Sequence, residues 1–163
     1  MFTVSLRQIA LVLALLLLPV AALASSSIYG KVVKVADGDT LTILVDDRSQ
    51  EKIRLAQIDA PERSQDFGRK AQQYLIDMAI HQTVRVDFEG RDRYGRIIGE
   101  VILPDGRNAG REMVRAGYAW QYVRYSKDRS LALLESEART QQRGLWVDSS
   151  PMSPWEWRRK NNP

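Results

Sequence analysis

The chain has 163 residues, with 24 Lys and Arg against 20 Asp and Glu, one His and no Cys. Without cysteine there is no disulfide framework, no thiolate metal site and no lipid-bearing N-terminal cysteine. The formal charge of +4 suits a polyanionic partner without pointing to one.

Residues 1–24, "MFTVSLRQIALVLALLLLPVAALA", have the pattern of an export leader. Arg7 supplies the positive start, Ile9 to Val20 the apolar core, and Ala22-Leu23-Ala24 a small-residue cleavage site. Ile9 to Ala24 is only 16 residues, short of the roughly 20 that span a bilayer. Cleavage after Ala24 is therefore expected to leave a soluble chain of 139 residues in the periplasm or the medium. That length supports one domain with a real core and is too short for two. We expect the domain over residues 25–148 and a tail over 149–163, without stable membrane association and as a monomer.

Three strand-like runs follow the leader: Ile28 to Val35, Thr40 to Val45 and Glu51 to Ile58. In the second, Leu41, Ile43 and Val45 alternate with Thr40 and Thr42, the period of a half-buried strand. Apolar residues then recur at helical spacing through "FGRKAQQYLIDMAI". Thr83 to Phe88 and Arg96 to Leu103 read as two more strands. Asn108 is placed to cap a helix that Gly117 ends, and Leu131 to Arg143, between Ser130 and Gly144, reads as a third. "SSPMSP" then reads as a linker to "WEWRRKNNP". The order β-β-β-α-β-β-α-α does not alternate as a doubly wound sheet would. It predicts an α+β, mainly β, architecture: a five-stranded Greek-key barrel of the OB type with three helices.

Three stretches carry candidate chemistry. "VADGDT" (35–40) is a tight-turn signal in which Gly38 would take positive φ. Asp37 serves such a turn, whereas Asp39 is surplus to it. "IRLAQIDAPE" (53–62) places Arg54 on the strand face opposite Ile53 and Leu55, with Asp59 and Glu62 beyond. "DRYGR" (92–96) joins the last two strands. Singly, each has an ordinary explanation as solvated turn acids, a strand-surface arginine or a charged hairpin. Together, four carboxylates supply hard oxygen ligands beside two arginines, and calcium suits such a set. An EF-hand does not fit, because the bidentate acid due twelve places into a loop starting at Asp37 falls on Arg48. Zinc is disfavoured with no cysteine and one histidine.

With these motifs in this order, and with "NAGREMVRAGYA" and "RGLW" further on, the chain resembles the staphylococcal nuclease, or thermonuclease, family from Ile28 to Trp146. The resemblance implies a calcium-dependent phosphodiesterase acting on DNA and RNA. It implies Asp39, Asp59 and the backbone carbonyl of Ala60 as metal ligands, with Asp37 acting through water. Glu62 corresponds to the family's general base, Arg54 and Arg96 to its phosphate-binding arginines, and Arg93 to a phosphate-contacting lysine. Tyr125 lies where the family stacks a tyrosine on nucleotide, with Tyr122 the alternative. The chain departs from the type member after Glu62, where only "RSQD" precedes the first helix in place of a long loop.

His81 follows the first helix, where a histidine commonly caps carbonyls, and is given no catalytic role. "WEWRRK" pairs aromatic rings with cations, which suits nucleic acid, although tryptophans docking the tail onto the barrel explain it better. A non-catalytic OB module that binds nucleic acid is the main competing reading. Such a module has no use for the acids and arginines retained here. A saccharide-binding barrel has less use still for a cation site flanked by arginines.

Overall fold

The computed structural model describes residues 26–161, so the leader expected over residues 1–24 lies outside the described residues. Strands β1 (Ser26–Asp37), β2 (Thr40–Leu44), β3 (Gln50–Leu55), β5 (Thr83–Arg91) and β6 (Ile97–Ile102) close a barrel in the order β1-β2-β3-β6-β5. β1 is long enough to pair with β5 through Ser26–Lys31 and with β2 through Lys31–Asp37. Register shifts at Val32/Lys34 and Val35/Asp37 bend it between these partners. The β3–β6 pairing is parallel and shuts the barrel, with Arg54 opposite Ile98. Inward-facing Val32, Leu41, Ile43, Ile53, Val86 and Val101 are fully buried, as period-two alternation requires.

β3 was expected to run to Ile58, but it ends at Leu55. Gln57 takes a left-handed φ of 66°, and Ile58–Asp59 turns away as a separate strand, β4. β4 pairs with β7 (Trp120–Gln121), Asp59 lying opposite Trp120. This break lifts Asp59 out of the barrel wall.

Helix α1 (Gly68–Ala79) covers the barrel with Ala71, Leu75 and Ala79. α2 (Ala109–Arg115) buries Met113 and Val114, and Asn108 caps it by accepting from the Arg111 amide at 3.2 Å. Gly117 follows at φ 74°, where a Cβ would also come within 2.2 Å of the Arg143 carbonyl oxygen. α3 (Arg129–Thr140) starts two residues before the expected Leu131, because Asp128 is its cap, accepting from the amides of Ser130 and Leu131.

Among the described residues there are four α-helices and a short 3₁₀ turn at Gly144–Val147, where the sequence predicts three helices. The fourth, α4 (Pro154–Asn161), lies in the tail. Its start is written in "SPWE": Glu156 accepts from the Ser153 hydroxyl at 2.5 Å and from its amide at 3.3 Å, with Pro154 in the first helical position. A second small core of Ala138, Leu145 and Trp146 packs with Trp120. Trp155 of α4 meets Trp120 edge-on at 5.6 Å and stacks on Tyr122 at 5.5 Å. The tryptophan does dock the tail.

Candidate active site

The β1–β2 turn is built by its side chains. The Asp39 amide donates to Asp37 Oδ1 at 3.1 Å, and Thr40 Oγ1 donates to Asp39 Oδ1 at 3.1 Å. Gly38 does not use positive φ. It is glycine because a Cβ there would lie 2.7 Å from the Ala71 Cβ and 2.8 Å from the Ala60 Cβ. The turn is thus pressed between α1 and the segment after β4, where the Ala60 amide donates to Asp39 Oδ2 at 2.8 Å.

Arg54 ties the two inner acids together. Its Nη1 donates to the carbonyls of Leu55 and Ile58, each at 3.0 Å, and lies 3.1 Å from Asp39 Oδ2. Its Nη2 donates to Asp59 Oδ1 at 2.9 Å. The Asp59 side chain is 1% exposed, and burial raises its pKa against the bonds from Arg158 and the charge of Arg54. Burial, then the charge of Asp39, pushes the Asp37 carboxyl up to about 7. Buried charges persist only when paired and hydrogen-bonded, and this network supplies both conditions.

The loop before β6 presents Arg96. Asp92 accepts from the Tyr94 and Arg96 amides, at 2.9 and 3.0 Å, and from Arg96 Nε at 2.7 Å. Arg96 also reaches Thr40 Oγ1 at 3.5 Å, which links this loop to the β1–β2 turn. Arg93 donates to the Tyr94 hydroxyl at 2.7 Å. Arg54, Arg96, Asp37 and Glu62 face one cleft of about 930 Å³. Arg93, Tyr122 and Tyr125 line it as well, and Tyr125 is two-thirds exposed. His81 is elsewhere, exposed, with φ 63° and its amide bonded to the Val32 carbonyl.

One residue in this cleft escaped the sequence reading. Arg158 of α4 donates from Nη2 to Asp59 Oδ2 at 2.6 Å and from Nη1 to Asp59 Oδ1 at 3.2 Å. The same Nη1 donates to Glu62 Oε1 at 2.7 Å. These bonds to Asp59 and Glu62 outweigh burial and raise the guanidinium pKa. The signal was the spacing of Trp155 and Arg158, three apart and so on one helical face. Once Trp155 docks on Trp120 and Tyr122, Arg158 is carried to the carboxylates.

A family model described as "Staphylococcal nuclease homologue" matches residues 52–148. This chain belongs to the staphylococcal nuclease family. A protein named "Uncharacterized endonuclease" from Escherichia coli is 48% identical over 135 residues, covering 83% of this chain and 88% of the relative. A "Micrococcal nuclease" from Shigella flexneri is 43% identical over 140 residues, covering 80% of each. "Protein ParB" of Escherichia coli is 41% identical over 159 residues, covering 91% of this chain and 89% of the relative. The staphylococcal nuclease match ends before α4, so Arg158 lies beyond it.

Among the described residues no group of three or more His, Cys, Asp or Glu is placed to hold a metal. The set implied by the staphylococcal nuclease resemblance is smaller: two carboxylates and a carbonyl, all oxygen donors. Asp39 and Asp59 share one guanidinium and Ala60 is bonded to the first, so the donor chemistry fits a hard cation held partly by water.

Proposed function

We propose that the protein is an exported, calcium-dependent nuclease that hydrolyses phosphodiester bonds of DNA and RNA with little sequence preference. The observation that carries this reading is Arg54, which bridges buried Asp39 and Asp59 and lines the same cleft as Arg93, Arg96, Tyr122 and Tyr125. Membership in a family whose relatives bear endonuclease and micrococcal nuclease names supports the reaction class. The leader pattern of residues 1–24 supports export.

Asp39, Asp59 and the Ala60 carbonyl would hold calcium, with Asp37 reaching it through water. Calcium supplies positive charge where the scissile phosphate becomes more negative. Arg54 and Arg96 grip phosphate oxygens with planar forks, which fix orientation as well as charge. A guanidinium keeps its proton at any working pH, so Arg96 stabilises the leaving oxygen electrostatically and does not donate a proton. Glu62 takes the proton from the attacking water. Arg93 contacts a neighbouring phosphate, and Tyr125 or Tyr122 stacks on a base. Tyr122 is already held at 4.9 Å from Tyr125 and stacked on Trp155, which leaves Tyr125 the freer ring.

The test is incubation of the mature chain with supercoiled plasmid and with RNA, in calcium and in excess chelator. Both should be degraded in calcium and left intact in chelator. Cleavage of neither would contradict the nuclease reading, and full cleavage in chelator would contradict the metal reading alone.

A further inference from the structure

Arg54 and Arg158 both hold Asp59, but they are anchored differently. Arg54 stands on a barrel strand, is 14% exposed, and is also held by two backbone carbonyls. Arg158 stands on the tail helix, is 36% exposed, and its three hydrogen bonds all go to Asp59 and Glu62. Only Arg158 can withdraw without breaking backbone bonds. It also covers Asp59 Oδ2, the oxygen that Arg54 leaves open.

Glu62 depends on the tail from two sides. The segment after it is short, and its backbone is held through Gln65: the Glu62 amide donates to Gln65 Oε1 at 3.1 Å, and Gln65 Nε2 donates to the Met152 carbonyl at 2.7 Å. Its carboxylate bonds to Arg158. The tail therefore holds Glu62 at both its backbone, through Gln65, and its carboxylate.

We propose that Arg158 is a positioning residue for Glu62 and an exchangeable counter-cation for Asp59, so that a divalent cation enters by taking Asp59 from it while Glu62 stays in its grip. The inference rests on the calcium reading above. A guanidinium brings one charge to Asp59, whereas calcium brings two to about 2.3–2.6 Å of a carboxylate oxygen. Exchange is therefore favourable but costs the Arg158–Asp59 bonds, which lowers the apparent affinity for metal. Releasing Asp59 frees Nη2 and leaves Nη1, which already donates to Glu62 Oε1, to hold Glu62 toward the cleft.

Two properties should then move in opposite directions when Arg158 is neutralised. Calcium binding without substrate, measured by titration calorimetry on the mature chain, should tighten about tenfold in Arg158→Gln, the scale of one charge-assisted hydrogen bond. At saturating calcium, kcat on a short oligonucleotide should fall about tenfold or more with KM little changed. Lys160→Ala, an exposed residue on the same helix, should alter neither. Arg158→Gln keeps much of the stem, and near-UV circular dichroism checks that the helix stays docked; Arg158→Lys, which keeps charge without the fork, is the second variant should it not. Unchanged or weaker calcium binding in a docked variant would overturn the exchange. Tighter binding with kcat intact would overturn the positioning of Glu62. If the parent chain itself binds no calcium, the metal reading falls and the exchange with it.

Discussion

Glu62 and the arginines make opposite demands on their neighbours. A general base must keep its proton affinity, so Glu62→Gln, which keeps the shape and removes the basicity, should bind oligonucleotide nearly as before. It should cleave about 10²- to 10⁴-fold more slowly; retained turnover would make Glu62 a structural acid. Arg54 and Arg96 must keep their planar forks. Arg54→Lys and Arg96→Lys should each cost about 10²- to 10³-fold in turnover. Near-normal turnover with affinity losses that vanish at high salt would reduce both to general charge contacts. Asp37 makes the pH prediction. Its folded pKa of about 7 stands above the ordinary 3.8 because of burial and then Asp39. Between about pH 4 and 7 the unfolded chain has lost this proton while the folded chain keeps it. Stability in chelator should therefore fall as pH rises through that window, by at most about 4 kcal/mol. Asp37→Asn should flatten the fall, read as the urea midpoint at pH 5 and pH 8. An unchanged slope would contradict the assignment.

At the scale of elements, the sequence was legible where periodicity or a cap decided the outcome. The strands, α1 and the Asn108 cap follow from alternation, helical spacing and side-chain oxygens, and all lie within a residue or two of expectation except the ends of β3, at Leu55 and not Ile58, and of β5, at Arg91 and not Phe88. The break after Leu55 was not legible, because it depends on Gln57 entering the left-handed region, which no glycine marks. The tail helix was legible in principle from Ser153, Pro154 and Glu156, but the flanking prolines read as a linker. Gly38 was read correctly as a turn and for the wrong reason. Its backbone is ordinary, and the constraint is the space left by Ala60 and Ala71. Gly38→Ala should thus destabilise by about 1–3 kcal/mol through overpacking and displace Asp39 with it. Combining it with Ala71→Gly, which removes one of the clashing methyls, should recover part of the loss, measured by denaturant unfolding. No recovery would mean that the contact is not what excludes a side chain at Gly38.

The whole molecule uses a barrel as a frame on which distant segments converge. Asp39, Asp59 and Arg158 are far apart in sequence, and the fold joins them through one guanidinium from β3 and one from the tail. That convergence explains why the barrel-borne half of the site could be read from its motifs and the tail-borne half could not. Motif order reports what the barrel brings together, while docking of the tail depends on tertiary contacts of Trp155 with Trp120 and Tyr122. It also locates the central claim at the paired acids. The most direct measurement is the initial rate of cleavage of a single-stranded oligonucleotide against calcium concentration, for the parent chain and Asp39→Ala. The parent rate should saturate on the order of 10⁻⁴ to 10⁻³ M calcium, and the variant should show no cleavage at those concentrations. A parent rate independent of calcium, or a variant with the parent's calcium dependence, would contradict the central claim.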